Sequence, residues 1–292
     1  MRSLLRFAVA GTVTVCALGA GAVIPPPSQA APARAAAGPT GVVAAAGELI
    51  NAASGQRLWG REPNVALPIA SITKLMTALV VLSEGHLNRD ITVTQAAETY
   101  AEENDAGSAD LVPGDVLTTR EMLEALLLPS GADAAYLLAH AYGPWRAFVR
   151  KMNRLAVRLG LKQTHFANFD GLPWPTEYST YSTARDVIIL GKAAMQHALL
   201  RQIVSQQVFR LAATSQHHAY RWVNKNLLLH RYRGAVGIKT GFTLAAGYCL
   251  LFEARRGAKE LMGVVLDSTN TNYYLRFTVA ARLLNWGFRQ LR

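Results

Sequence analysis

Pro68-Ile69-Ala70-Ser71-Ile72-Thr73-Lys74-Leu75-Met76-Thr77 opens the segment on which the reading of this chain turns. From Ser71 to Leu82, the residues Ile72, Leu75, Met76, Leu79 and Val80 recur at helical spacing, and Gly85 marks the stop. Ser71 and Lys74 are three positions apart, so they share a face of the first turn. Upstream, Val42 to Ala46, Glu48-Leu49-Ile50, the Ser54-Gly55 turn and Arg57-Leu58-Trp59 read as a hairpin.

Downstream, residues 86–118 are looser, with turns at Gly107-Ser108 and Pro113-Gly114. Helices are predicted at Thr119 to Leu128, from Asp133, from Trp145 to Leu159 before Gly160, and at Arg185 to His197. Between the last two, Thr164 to Thr183 holds Asp170-Gly171 and two prolines and reads as an irregular loop placed to fold over a cleft. Asp170 itself reads as a turn residue rather than a catalytic carboxylate. From Gln207 the pattern turns to strands at Val208–Leu211, Gly237–Thr240, Tyr248–Ala254 and Leu261–Leu266. Tyr273 to Phe288 closes the chain as a helix whose stripe of Leu275, Val279, Leu283 and Trp286 packs on a sheet. This order predicts an α+β fold whose antiparallel sheet draws on both ends of the chain.

Composition narrows the function. Half of the 292 residues are hydrophobic and only 17% are charged, which excludes a disordered chain. The net charge of +11 rests on 23 Arg and seven Lys. Arginine keeps its proton whereas lysine gives it up when desolvated, so lysines at 74 and 239 are informative. The basic excess suits anionic cell-envelope polymers. The arginines read as scattered along the sequence and no nucleic-acid module signature occurs, so no nucleic-acid partner is predicted. The histidines form no metal-ligand spacing and no glycine-rich loop follows a strand, so neither metal nor cofactor is predicted.

Arg2 and Arg6 precede an uncharged run from Phe7 to Ile24, then Pro25-Pro26-Pro27 and Ser28-Gln29-Ala30. This is the pattern of an export signal over 1–30, followed by a linker at 31–40 and one folded domain at 41–292. If uncleaved, the 18-residue run would be a membrane anchor at the short edge of spanning length. Cleavage leaves Cys249 as the sole cysteine, with no disulfide and a buried core position as its predicted place.

Two further strings complete the pattern: Ser130-Gly131-Ala132, in the link between two predicted helices, and Lys239-Thr240-Gly241, on a predicted strand. In order, interval and setting, S-x-x-K, S-G-A and K-T-G resemble the three active-site elements of the penicillin-interacting serine enzymes. Leu126-Leu127-Leu128-Pro129-Ser130-Gly131, Tyr181-Ser182-Thr183-Ala184-Arg185-Asp186 and Gly237-Ile238-Lys239-Thr240-Gly241-Phe242-Thr243 extend the resemblance to the low-molecular-mass D-alanyl-D-alanine carboxypeptidases over roughly 42–290. It implies the serine β-lactamase/D,D-peptidase fold, an antiparallel sheet flanked by helices with a separate helical lobe and the active site in the seam. Many relatives carry a further β-rich domain and a terminal anchor. Only 51 residues follow Gly241, which the sheet and the last helix consume, so a catalytic domain alone is expected.

The implied chemistry is acyl transfer by an exported enzyme acting in the periplasm, cell wall or medium on peptidoglycan stem peptides, with β-lactams as covalent inhibitors. A serine hydroxyl needs an adjacent base, and Lys74 serves Ser71 if its amine is neutral. Ser130 would relay a proton to the departing D-alanine. Lys239 would attract the terminal carboxylate, with Thr240 and Thr243 as donors, and the backbone N–H groups of Ser71 and Phe242 would form the oxyanion hole beside Gly241. Ala132 departs from the family's Asn and implies one substrate hydrogen bond fewer. Two other readings are a serine β-lactamase, opposed by the lack of a Glu-x-x-Leu-Asn string in 164–183, and a non-catalytic cell-wall or β-lactam binding module. Ala132 favours the second; the intact Ser71, Lys74, Ser130 and Lys239 set opposes it.

Overall fold

The computed structural model describes residues 38–291. The predicted export signal and most of the predicted linker lie outside the described residues. Strands β1 (Ala46–Asn51) and β2 (Arg57–Arg61) form the opening hairpin, and β3 (Leu67–Pro68) leads into a 3-10 turn at Ala70–Thr73 and helix α1 (Lys74–Glu84). A lobe follows: β4 (Asp90–Thr92), α2 (Gln95–Glu103), β5 (Val116–Thr118), α3 (Thr119–Leu127), α4 (Ala132–Ala141) and α5 (Trp145–Leu159). After β6 (Tyr181–Ser182), α6 (Ala184–Gln196) and α7 (Ala198–Ser205) return the chain to the sheet. The pair β7 (Val208–Leu211) and β8 (Tyr220–Val223) and the short α8 (Leu228–Arg231) precede β9 (Ala235–Thr243), β10 (Gly247–Arg256), β11 (Lys259–Leu266) and α9 (Leu275–Gln290).

The main sheet runs β2-β1-β11-β10-β9 with every neighbour antiparallel, so the first and last strands of the chain meet at its centre. Helix α9 covers β10 and β11, with Val279, Ala280, Leu283 and Leu284 in one apolar layer with Leu250, Phe252 and Val265. A larger layer lies between the sheet and the lobe, with α6 against β1 and β11 and α7 against β9. At its centre stands α1, buried from Lys74 to Val81 and packed on α3, α4, α5 and α6. Buried on every side over two turns and packed on four helices, α1 is a core helix, and its buried Lys74 and Thr77 are polar exceptions within it. Cys249 is a fully buried member of this layer, as its predicted place required.

Two local expectations are corrected, and one helix is added. Ser71 lies in the 3-10 turn rather than on the α-helix, because Ala70 adopts φ +46° and the chain tightens before Lys74. The looser 86–118 segment contains α2, whose buried side is only Ala97 and Ala101 and so leaves a faint apolar period. The helix after Thr183 ends at His197 as expected, and α7, which the sequence reading did not include, follows it directly.

Candidate active site

The nucleophile turn, the α3–α4 link and the edge strand β9 converge on one cleft of about 550 Å³. Ser71, Lys74, Ser130, Thr240, Gly241, Phe242 and Thr243 all line it. Lys74 Nζ lies 3.0 Å from Ser71 Oγ and donates to the backbone oxygen of Asp170 at 3.3 Å. Lys239 Nζ donates to Ser130 Oγ at 2.8 Å and to the Thr240 carbonyl at 3.2 Å. The two lysines are 2% and 1% exposed, so both amines sit where charge is costly.

Each piece is held by identifiable contacts. The N–H of Ile72 closes the nucleophile turn on the Ile69 carbonyl. Gly241 passes so near this turn that a Cβ there would stand 2.7 Å from Ile69 O and 3.4 Å from Ser71 N. Gly171, at φ +84°, approaches from the loop side, where a Cβ would overlap the Ala70 carbonyl. Ser130 is held at φ +67°, a conformation costly for a non-glycine residue and retained where the surroundings impose it. Lys239 holds Ser130 Oγ and the next N–H, of Gly131, donates to the Ala125 carbonyl at 3.1 Å, while the buried Asp133 carboxylate accepts from Ser108 Oγ and from the N–H groups of Ala109, Leu111 and Ala134, tying residues 108–111 to the start of α4. Ala132 is fully buried, donates its N–H to the Gly107 carbonyl at 2.7 Å, and does not line the cleft. Thr243 Oγ1 accepts from the Ala246 N–H, which leaves its proton free to point into the cleft. Phe242 is 40% exposed and stacks on Tyr248 at 4.2 Å.

The electrostatics favour proton transfer by lysine. Lys74 is lowered to about 8, first by burial and also by Lys225, against the raising influence of Asp170 and Asp133. Lys239 is pushed well below the ordinary lysine range by burial, then by the Lys74, Lys225 and Arg276 cations. An arriving carboxylate would offset that repulsion and favour its charged form.

Sequence reading missed two cations of this cleft. Lys225 is brought beside Ser130 by its backbone N–H, which donates to the Leu128 carbonyl at 3.0 Å, and its ammonium overhangs Gly107. Arg276 on α9 is 2% exposed, donates to the Gly241 carbonyl at 3.1 Å and lies among the rings of Tyr248, Tyr273 and Phe277 at 4.8, 4.5 and 4.8 Å. Its Nε is buried without a partner. The available signal was its register: Arg276 falls on the inward face with Val279, Ala280 and Leu283, where a charge has no packing role. Asp170 is indeed a turn residue, accepting from the Leu172 N–H at 3.1 Å. It is also fully buried beside Lys74 and accepts from Tyr100 Oη at 2.7 Å.

With this geometry established, comparison with known proteins is decisive. A family model described as D-alanyl-D-alanine carboxypeptidase matches residues 33–270. The chain belongs to this family. It is 37% identical to the D-alanyl-D-alanine carboxypeptidase of Streptomyces sp. strain K15, over 97% of this chain and 99% of that one. It is 39% identical to the carboxypeptidase DacB2 of Mycobacterium tuberculosis, over 80% and 79% of the two chains. The crystal structure of the Streptomyces K15 DD-transpeptidase superposes with a TM-score of 0.81 at 37% identity, covering 86% of this chain and 99% of that one. The fold is therefore that of the D-alanyl-D-alanine carboxypeptidases, and the chain is a serine-type member of them.

Proposed function

We propose that the protein is an exported carboxypeptidase that removes the terminal D-alanine from peptidoglycan stem peptides through an acyl-enzyme on Ser71. The observation that carries this reading is the pairing of Ser71 Oγ with Lys74 Nζ at 3.0 Å and of Ser130 Oγ with Lys239 Nζ at 2.8 Å in one cleft. Neutral Lys74 takes the Ser71 proton as Oγ bonds to the carbonyl carbon of the penultimate D-alanine. The N–H groups of Ser71 and Phe242 receive the developing oxyanion; a donor of this kind supplies about 3 kcal/mol. As the C–N bond breaks, Ser130 gives its proton to the departing amine and is reprotonated from the Lys74 ammonium. Water then attacks the ester, releasing the shortened peptide and restoring Ser71. Lys239 and Arg276 hold the terminal carboxylate, with the Thr240 and Thr243 hydroxyls donating to it.

β-Lactams are covalent inhibitors in this reading, because they present the same acyl group with a leaving amine that stays attached. The loop carboxylate nearest Lys74 is that of Asp170, whose oxygens are engaged by Leu172 and Tyr100, so it is not placed to activate a deacylating water. Penicillin should therefore add its full mass to wild-type protein and not to Ser71→Ala, and the adduct should persist. Release within seconds would indicate a β-lactamase. Incubation with an acyl-D-Ala-D-Ala peptide should liberate D-alanine. No release from a correctly folded protein would leave a binding module.

A further inference from the structure

Helix α5 carries a charge pattern that the cleft does not use and that the helix itself engages only at its first turn, where Arg146 lies over the Trp145 ring at 4.8 Å. Its inward side, Phe148, Val149, Met152 and Ala156, is buried. On the other side Arg146, Arg150, Arg154 and Arg158 recur every fourth residue, all exposed. With 3.6 residues per turn and 1.5 Å per residue, the four lie within an arc of roughly 120° and along roughly 18 Å, a cation about every 6 Å. The arginines that read as scattered in sequence therefore form a row on the fold. Among the described residues none of the four takes part in an ion pair, while Lys151, on the same helix, pairs with Glu84 at 2.9 Å. The helix contains no acidic residue. Like charges four apart disfavour a helix, and Arg146 stands at the end where the macrodipole favours anions. A helix face kept only for solubility mixes its signs.

We propose that this row is a docking surface for a linear phosphodiester polymer of the cell envelope. The match is one of charge and shape: a single file of guanidinium groups, each able to take a phosphate through two hydrogen bonds. A lipid surface is the poorer fit, because the apolar side of α5 is turned inward and Val157 is the one large apolar side chain exposed along the row. The row also begins beside the cleft. Trp145 packs edge-to-face on Trp174 at 5.3 Å, and the Trp174 loop contributes Leu172 and Pro173 to the cleft wall. A polymer seated on α5 would hold the cleft against the wall that bears the stem peptides. This inference rests on the cell-wall reading above for its setting, but not on catalysis.

The test compares wild type with Arg146→Gln/Arg150→Gln/Arg154→Gln/Arg158→Gln and with a control that removes the same charge elsewhere, Arg210→Gln/Arg221→Gln/Arg233→Gln/Arg289→Gln. Binding is measured to soluble poly(glycerol phosphate), to cell walls before and after chemical removal of their phosphodiester polymers, and to phosphatidylglycerol vesicles. Wild type and control should bind the polymer and the untreated walls. The α5 variant should bind at least about tenfold more weakly, with a shallower dependence of log K on log salt. Thermal midpoints and penicillin acylation rates measured on the same samples exclude misfolding and test the catalytic reading separately. Equal losses in the two variants, binding to vesicles but not polymer, or no polymer binding by wild type would each overturn the proposal.

Discussion

Gly241→Ala is the substitution whose consequence is best determined by the geometry. The added Cβ would lie 2.7 Å from Ile69 O, 3.3 Å from Ala70 Cβ and 3.4 Å from Ser71 N. Relieving the first contact to an ordinary spacing of roughly 3.5 Å requires a displacement of roughly 0.8 Å. The Ile69 carbonyl cannot yield freely, because it accepts the Ile72 N–H that closes the nucleophile turn. Either β9 retreats or the turn loosens, and both separate Ser71 from the Phe242 N–H. A misplacement near 1 Å costs about a hundredfold in rate, and loss of one oxyanion donor costs about 10²- to 10³-fold. Acylation by a fluorescent penicillin, followed by stopped flow, should therefore slow by about a hundredfold or more. The accompanying overpacking should cost about 1–3 kcal/mol of stability. Gly287→Ala supplies the control: its Cβ would meet Leu49 and Leu261 side chains at 2.7 and 2.8 Å under α9, away from the cleft. If Gly241→Ala acylates within threefold of wild type, or Gly287→Ala slows acylation as much, the strand–turn spacing does not position the oxyanion hole.

Lys74→Arg should abolish acylation while Lys239→Arg retains measurable rate, because only the first role needs a neutral base. The two lysines are almost equally buried, so the added bulk is comparable and the difference in acylation rate reports proton chemistry; equal rates would remove Lys74 as the base. Acylation should rise with pH through about 8 as Lys74 loses its proton. Asp170 and Asp133 raise that value while burial and Lys225 lower it, so Asp170→Asn should move the rising limb to lower pH, and an upward shift would refute the assignment. Ala132→Asn should raise kcat/KM on an acyl-D-Ala-D-Ala peptide by at most roughly tenfold to a hundredfold, the worth of one hydrogen bond to a charged or strongly polar partner. A fall together with a lower melting temperature would show that Asn overpacks this fully buried position.

What could be read in advance was local in sequence. Ser71 and Lys74 lie one turn apart on a segment whose apolar period is unmistakable, and Lys239-Thr240-Gly241 lies on a strand bounded by clear turns. The order of elements, from hairpin to helical block to strands to final helix, carried the α+β architecture with it. Helix α2 escaped because its buried side is two alanines, too little apolar period to separate from a polar loop. Strand β8 escaped although Tyr220 and Trp222 alternate inward with Arg221 and Val223 outward, because four residues between turns give a weak pattern. Lys225 and Arg276 belong to no motif at all. They reach the cleft through Leu128 and Gly241, partners distant in sequence and joined only by the tertiary fold.

The two missed cations change how the cleft is understood. Lys74, Lys225 and Arg276 line one cavity, the Lys239 ammonium lies just behind it on Ser130 Oγ, and among the described residues Asp105 is the only acidic side chain on the wall. Asp170 and Asp133 lie behind that wall, each already engaged by hydrogen bonds from the fold. Burial is the first cause that lowers both Lys74 and Lys239; the neighbouring cations add to it, Lys225 at Lys74 and Lys74, Lys225 and Arg276 at Lys239. A substrate that ends in a carboxylate would offset the cations' contribution at one point, near Lys239 and Arg276, without neutralising Lys225. In the proposed reaction Lys239 would then be favoured as a cation, while Lys74, lowered to about 8 by burial and by Lys225, gains its neutral, base-competent form as pH rises through that value. In the proposed reaction a carboxylate bound at Lys239 would thus fix the charge of that lysine, coupling recognition of a D-alanine terminus to the same electrostatic arrangement that lowers Lys74.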